Sequence, residues 1–458
     1  MERSPREVLT LLLSLLPYPD LKRCLLVSRR LHAAAADPLL WAAFTLVLSP
    51  TNLEHLADLL KLPRLQRMRA VRFQGCRLHS RHLALLLSSS KVTSVSFGEG
   101  HDLERDVELA RVPPTTLAKF TASMEHVGFH SSLLHQLSEL QTLALLDQMT
   151  RPTCRLQKME VFYDNHLSYL PALSVARALS RLTHLTLVFQ KLAPDKYNAL
   201  FDLLGSGQSQ LSSLSLPGTD LSRTEPKLLG RAVVSLTSAV LSDTKLSHLH
   251  LHAILSSLGD QAGQLRHLDL SHNGALRDCS TAVMAGLATL TTANLKFTRP
   301  TVSQLEVLLA SLQTPASRLT SLSLVGCTSL RSLPPPLLTS LHTLDTCSLY
   351  ATHLLPAQLP SLLTPPPASR LSCLDLGGNN LSSASPSLWP QLLSRLSRLS
   401  LYNCRLSQAQ QASLLDSAAS LPRSARLEHL DLGGNSTVAG HMVRKARDRV
   451  REVIVNTL

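Results

Sequence analysis

The sequence predicts an α/β solenoid, and three observations carry that prediction. The first is a repeated phrase: Leu371-Ser-Cys-Leu-Asp-Leu-Gly-Gly-Asn-Asn-Leu381 alternates apolar and polar residues as a short strand would, and close copies occupy 319–329, 396–406 and 427–435. The second is its period. The first apolar position of each unit falls at 68, 92, 117, 156, 182, 211, 236, 265, 290, 319, 344, 371, 396 and 427, giving about 14 units with most steps between 24 and 31 residues. The third lies between the strands, where Leu305-Glu-Val-Leu-Leu-Ala-Ser-Leu312 before Pro315-Ala-Ser-Arg-Leu319 parallels Leu359-Pro-Ser-Leu-Leu363 before Pro367-Ala-Ser-Arg-Leu371. Apolar residues at helical spacing there predict a helix behind each strand. One such unit cannot bury its apolar face alone, so neighbours must stack.

The phrase L-x-x-L-x-L-x-x-N-x-L is the leucine-rich-repeat signature. In it Leu374 and Leu376 point to one side of a strand, and Asn379 offers its amide to backbone groups of the next turn. Units near 27 residues with helices resemble the ribonuclease-inhibitor kind of repeat, which implies a horseshoe with a parallel sheet inside and helices outside. Ten units carry Asn, Cys or Thr in the ladder slot; the four that do not have Gly100, Glu125, Asp164 and Gln190 there. Together with a step of 39 residues from 117 to 156, this concentrates irregularity in residues 98–190. Thr51 caps an expected entry helix through Leu53, Leu56, Leu59 and Leu60 that Pro63 ends. At the other end, Val443, Ala446, Val450 and Ile454 form the apolar stripe of an expected basic capping helix. The expected organisation is a helical module over 1–48, an entry cap and linker over 49–67, the array over 68–440 and the C-terminal cap over 441–458.

Aromatics make up only 4% of the 458 residues against 44% hydrophobic side chains, so leucine does the packing. A net charge of +13 favours acidic partners, but the charge is spread over many repeats without a zinc-finger spacing or a homeodomain-like helix. A solvated basic surface is therefore expected in preference to a nucleic-acid groove, with the basic segment 443–451 read as a cap before a nuclear-import patch. The eight cysteines form no C-x-x-C, and Cys76, Cys327 and Cys404 occupy the ladder slot. Buried reduced thiols are the expectation, which fits a reducing compartment and a cytoplasmic or nuclear location. The apolar run from Val8 to Leu16 has the length of a signal-peptide core, yet its flank mixes Glu2 and Glu7 with Arg3 and Arg6 and no cleavage site follows directly, so it is read as a helix. No stretch reaches the roughly 20 apolar residues that span a membrane, so no membrane partner is expected. His248, His250 and His252 alternate as a chelating strand would, but they fall in an expected helix, and metal is not expected. The runs Pro334–Pro336 and Pro365–Pro367 read as loop spacers in preference to polyproline ligands. No nucleophile elbow, phosphate-cradling glycine loop or paired-carboxylate arrangement stands out, so the chain is read as non-enzymatic and without cofactor.

The N-terminal module begins with Ser4-Pro-Arg-Glu7, a cap, a proline at the first helical position and a capping box. Asp20 and the pair Asp37-Pro38 start two further short helices, the last carrying Leu40 and Trp41. Three short helices in about forty residues make a thin core, so such a module leans on a partner. The pieces Pro5-Arg-Glu-Val-Leu9, Leu12-Leu-Ser-Leu-Leu-Pro17, Asp20-Leu21, Leu26-Val-Ser-Arg-Arg30 and Asp37-Pro-Leu-Leu-Trp41, in order and without a gap, resemble an F-box. Ser4 and Leu31 depart from the family, which usually has Leu and often Trp there. The resemblance implies docking on the Skp adaptor of a cullin-RING ubiquitin ligase, with Pro5, Leu9, Leu12, Leu16, Pro17, Leu21, Val27 and Trp41 as contact or module-core residues.

The whole chain then reads as a substrate-recruiting subunit of such a ligase, with a scaffold unconnected to ubiquitin as the alternative. An unidentified target protein would sit on the inner face of the array. The expected inner-facing positions hold Phe162, Tyr163, Phe189, Phe297, Tyr350 and Tyr402, six of the 17 aromatics, to which Arg398 is added beside Tyr402. Aromatic and arginine side chains are the favoured anchors of interfaces.

Overall fold

The computed structural model describes residues 45–456 apart from 55, 62–67, 75, 89–90, 98–107, 110–111, 130–136, 163–165, 261–262, 365, 367, 423–426 and 439, together with positions 13, 23, 27, 28, 31, 33 and 34. The chain divides into two compact units, Met1–Thr219 and Asp220–Leu458. Both are α/β leucine-rich-repeat stacks in which each strand pairs in parallel with the strand of the next repeat.

In the first unit the strands are Thr45–Leu48, Ala70–Phe73, Ser94–Phe97, His126–Phe129, Lys158–Phe162, His184–Val188 and Ser213–Ser215, joined in register through Thr45, Ala70, Ser94, His126, Lys158, His184 and Ser213. Helices Ser80–Ser88, Pro114–Ser123, Glu139–Thr150, Ala172–Ser180 and Pro194–Gly205 back them. Phe73, Phe97 and Phe129 stack as a spine with centroids 5.5 and 5.6 Å apart, and Phe120 meets Phe97 edge-on. Each ring ends its strand on the buried side, so offset stacking adds to the area that burial removes from water.

This spine corrects the expected unit start at 117. Leu117 and Phe120 lie in the helix Pro114–Ser123, and the real phrase is Met124, Val127 and Phe129, all buried. The error has a physical origin, because an apolar i, i+3 step opens both a helix stripe and a repeat phrase. Glu125 consequently lies ahead of the strand rather than in a ladder slot, and its carboxylate meets Arg155 at 3.0 Å. Gln190 does serve the ladder: it is buried, with Nε2 directed at the Val161 carbonyl 3.4 Å away, an amide doing from one methylene further what asparagine does elsewhere. The strand Thr45–Leu48, inside the span read as a helical module, buries Leu46 and Leu48 against its neighbour. The entry helix is two pieces, Pro50–Leu53 and Leu56–Lys61.

In the second unit the strands are Ser238–Val240, His267–Asp269, Thr292–Asn294, Ser321–Ser323, Thr346–Ser348, Cys373–Asp375, Arg398–Ser400, His429–Asp431 and Glu452–Ile454. The backing varies along the stack. The α-helices His248–Asp260, Val302–Leu312 and Gln408–Ala419 follow the strands that start at Ser238, Thr292 and Arg398, the 3-10 segments Thr281–Thr289 and Pro335–Thr343 follow those that start at His267 and Ser321, and a 3-10 turn leading into a short α-helix, Leu359–Leu363 or Trp389–Leu393, follows those that start at Thr346 and Cys373. The turns after the strands do alternate. Asp243 and Lys245, Phe297 and Arg299, Ala351 and His353, and Asn403 and Arg405 take left-handed φ in pairs in every second repeat, while Gly326, Gly378 and Gly434 take it alone between them.

The repeats with paired left-handed turns share a further device at the third residue of the helix or 3-10 turn that follows. Gln304 Nε2 donates to the Leu276 and Cys279 carbonyls at 2.8 Å, Gln358 to Leu330 and Leu333, and Gln410 to Ser382, while His250 reaches the Thr224 carbonyl at 2.9 Å. These side chains tie each such repeat to backbone carbonyls of the preceding one. His250 is thereby buried between protein partners, with Nδ1 2.7 Å from the Ser247 hydroxyl. Pro335 and Pro336 open a 3-10 segment, which accounts for the first proline run.

Asn379 shows what the ladder slot does. Its Nε-equivalent amide, Nδ2, donates to the Leu349 and Leu376 carbonyls at 2.8 and 2.9 Å, and its Oδ1 accepts the Leu354 amide at 3.1 Å. Asn273 and Asn435 repeat the pattern. Cysteine thiols reach the same carbonyl position: Cys76 to Leu48, Cys327 to Leu295 and Cys404 to Leu376. The described cysteines are all free. At the C-terminal end the helix stops at Arg447, with Val443, Ala446 and Val450 buried. Ile454 leaves the expected stripe: it lies in the strand Glu452–Ile454 and is 42% exposed, and Val453 takes the buried place instead.

Candidate functional site

The inner surface of each stack consists of the strand residues on either side of the buried central one. In the first unit Ser94, His126 and Glu160 line up across three adjacent strands, with Ser94 Oγ 3.0 Å from His126 Nδ1 and His126 Nε2 3.7 Å from Glu160. Serine, histidine and carboxylate in a row invite a catalytic reading. An acyl transfer site also needs unpaired amide donors for the oxyanion. Here the Ser94 and His126 amides are committed to the Arg69 and Thr93 carbonyls in the sheet. The cluster is an electrostatic one: the His126 imidazole and the Lys158 ammonium, 2.8 Å from Glu160, hold its half-buried carboxyl down at about 2.

In the second unit a hollow of about 640 Å³ lies over the last strands. Arg398, Arg451 and His429 share it with Asp375, Asp431, Glu428 and Glu452. Asp375 is held by the Gly377 amide at 2.9 Å and the Ser348 hydroxyl at 2.8 Å, Asp431 by the Gly433 amide at 2.8 Å, and His429 Nδ1 faces Glu452 at 3.0 Å. Arg398 is exposed on this face, where the sequence reading put it.

The aromatic residues assigned to target binding do not gather into one patch. Phe189 and Phe297 sit in left-handed turns after their strands, and each ring lies flat on the turn glycine of the next repeat, Gly218 and Gly326. Tyr350 and Tyr402 repeat the arrangement over Gly377 and Gly433, where an added Cβ would come 2.6 and 3.2 Å from the rings. One face of each ring is thus spent on packing. Part of each ring still meets solvent: Phe189, Phe297 and Tyr402 are 44%, 41% and 45% exposed, with His272 and Lys296 also beside Phe297. Phe162 is half-buried at the end of its strand, and Tyr163 lies outside the described residues.

The sequence reading missed the basic turn residues. Thr244-Lys245-Leu246, Thr298-Arg299-Pro300, Thr352-His353-Leu354 and Cys404-Arg405-Leu406 place a basic residue in the second position of each left-handed pair. Their recurrence at a two-repeat period was the available signal. Burial pushes the thiols of Cys327, Cys347 and Cys404 up to about 12, so they stay protonated at neutral pH and serve neither as nucleophiles nor as thiolate ligands. Among the described residues no group of three or more His, Cys, Asp or Glu is placed to hold a metal ion, and no helix is long and apolar enough to cross a membrane.

Of the adaptor-docking residues, Pro5, Leu9, Leu12, Leu16, Pro17, Leu21 and Trp41 lie outside the described residues, while Val27 is helical and 69% exposed. Family comparison supplies what geometry does not, since residues 5–46 match the F-box-like family model. This segment is an F-box-like domain. The F-box-like domain ends where the first strand of the stack begins, so the two parts share the boundary at Thr45. No curated protein sequence matches the chain. Similar solved structures include an internalin of Listeria monocytogenes str. 4b F2365, 15% identical over 69% of this chain and 83% of that one, at a TM-score of 0.39. The leucine-rich-repeat-containing protein LegL7 of Legionella pneumophila is 16% identical over 66% of this chain and 94% of its own, also at 0.39. The functional domain of InlJ from Listeria monocytogenes is 15% identical over 80% of this chain and 68% of its own, again at 0.39. An F-box-like domain joined to leucine-rich repeats makes the chain a protein-interaction adaptor.

Proposed function

We propose that this protein is the substrate-recognition subunit of an SCF-type cullin-RING ubiquitin ligase. The F-box-like domain holds a Skp-type adaptor, and through it the ligase, while the repeats hold a target protein. The observation that carries this reading is the F-box-like match at residues 5–46 directly ahead of leucine-rich repeats in one chain. On this reading the chain is itself non-catalytic. It forms no covalent bond but raises the local concentration of target near a ubiquitin-loaded enzyme, an intramolecular advantage set by geometry. Protonated, buried ladder thiols support work in a reducing compartment, the cytoplasm or nucleus.

The test is capture of purified Skp adaptor by the full-length chain, compared with Leu16→Asp and Leu21→Asp. A carboxylate in an apolar docking face costs several kcal/mol. Wild type should capture the adaptor and both variants should lose it while keeping the thermal transition of the repeats. Capture unaffected by either change would place docking elsewhere.

A further inference from the structure

The hollow beside Phe297 is built differently from the inner-face hollow of the same unit. It has a volume of about 580 Å³, and its wall includes Arg277, Phe297, Arg299, Thr301, Thr328 and Ser329. Two guanidinium groups face it and no carboxylate lines it, whereas the inner-face hollow is lined by Asp375, Asp431, Glu428 and Glu452 beside its cations. Arg277 has only a loose contact with Asp278 at 3.9 Å, both groups being well exposed, and such a pair is screened by solvent. Arg299 makes no ion pair among the described residues. More positive charge stands at the rim: Lys296 Nζ lies 5.5 Å from the Phe297 ring centroid.

The site is also rigid before any ligand arrives. Thr298, fully buried between Phe297 and Arg299, donates its hydroxyl to the Leu295 carbonyl at 2.7 Å, and the Phe297 amide donates to the Val325 carbonyl at 2.8 Å. The left-handed turn that carries both side chains is therefore pinned from below, and the ring is braced on Gly326 and against His272 at 5.1 Å. Helix Val302–Leu312 starts at the wall, so its positive end adds to the field.

We propose that this hollow binds a phosphorylated serine or threonine of a target protein, the phosphate held between Arg277 and Arg299 and a neighbouring target side chain laid on Phe297. The proposal rests on the repeats being the target-recruiting part of the adaptor. Two planar guanidinium forks suit a dianion with three acceptor oxygens better than a single carboxylate. His353 holds the same turn position two repeats on, about 10 Å away at ordinary strand spacing, while Lys245, two repeats back, is already paired with Asp220 at 2.9 Å, so the charge is concentrated at this hollow. A protein segment fits better than nucleic acid, because Asp269, Asp375 and Asp431 recur along the inner face of this unit and repel an extended polyanion.

The experiment uses the full-length chain with fluorescent degenerate peptides bearing a central phosphoserine, the same peptides unphosphorylated, the same with glutamate in its place, and single-stranded RNA. Phosphopeptides should bind on the order of tenfold more tightly than unphosphorylated ones. The Arg277→Glu/Arg299→Glu protein should lose that preference, and the Arg277→Lys/Arg299→Lys protein, which keeps the charge but not the forks, should lose part of it. Glutamate peptides binding as tightly as phosphopeptides, RNA outcompeting them, or either double variant keeping the full preference would overturn the proposal. Adaptor capture by the same proteins is read in parallel. Loss of adaptor capture in the wild type with the phosphopeptide preference intact would remove the ligase reading and leave the hollow standing.

Discussion

Gly326 adopts φ +69° beneath the ring of Phe297, and a methyl group there meets two penalties at once. The left-handed backbone costs an alanine roughly 1–2 kcal/mol, and the ring must leave its seat. Gly326→Ala should lower the urea midpoint by an amount corresponding to about 2–3 kcal/mol. Adding Phe297→Ala should restore part of the loss, since the two residues are in contact and their effects do not add. Equal costs with and without the ring would show that the stacking contributes nothing. Glu160 supplies a second test, on pH. Its folded-state carboxyl is held at about 2 against an ordinary value of 4.5, so the stabilisation is fully present above about pH 4.5 and is lost as pH falls toward 2. Unfolding free energies measured between pH 7 and 3 should fall by on the order of 2 kcal/mol more for the wild type than for Glu160→Gln. Parallel profiles would contradict the assignment. Arg299 and its counterparts explain what was not legible at this scale. Their role follows from left-handed φ, and a hydrophobic pattern carries no information about φ at polar positions.

At the scale of the element, the strands were legible because leucine alternation has a period of two that nothing else in the repeat imitates. Apart from the start at 117, each expected unit start is followed two residues later by an observed strand. The failure at 117 came from a helix whose Leu117 and Phe120 share the opening spacing of the phrase, and from a strand that uses Met124, Val127 and Phe129 in place of leucine. The tie between repeats was written in the sequence as His250, Gln304, Gln358 and Gln410, one to each repeat with a left-handed pair in its turn, but a side chain's bond to the previous repeat is a tertiary fact. The final element is more than a helix: Gly440–Arg447 is followed by a strand that pairs with His429–Asp431. Truncation after residue 439 would bare the edge of that strand and the apolar side chains Leu430 and Leu432 beneath it. Solubility should drop and thermal unfolding should begin earlier. A truncated protein as soluble and as heat-stable as the full chain would show that the last repeat does not need this cover.

At the scale of the whole molecule, the repeats supply surfaces and the F-box-like domain supplies the connection that gives them a purpose. The resemblance at the N-terminus was legible because capping residues, prolines and leucines recur there in a fixed order, and the family match at residues 5–46 agrees with it. The target surface was less legible. Phe189, Phe297, Tyr350 and Tyr402 were chosen for facing inward, yet each first packs on the next repeat's glycine, a contact that depends on residues 27 to 31 positions away. The most direct test of the account is the affinity of the full-length chain for purified Skp-type adaptor, measured by titration in solution. A one-to-one complex with a dissociation constant around 1 μM or tighter, about −8 kcal/mol, is the predicted result. No binding at concentrations a hundredfold higher, by a chain whose repeats are shown to be folded, would contradict it.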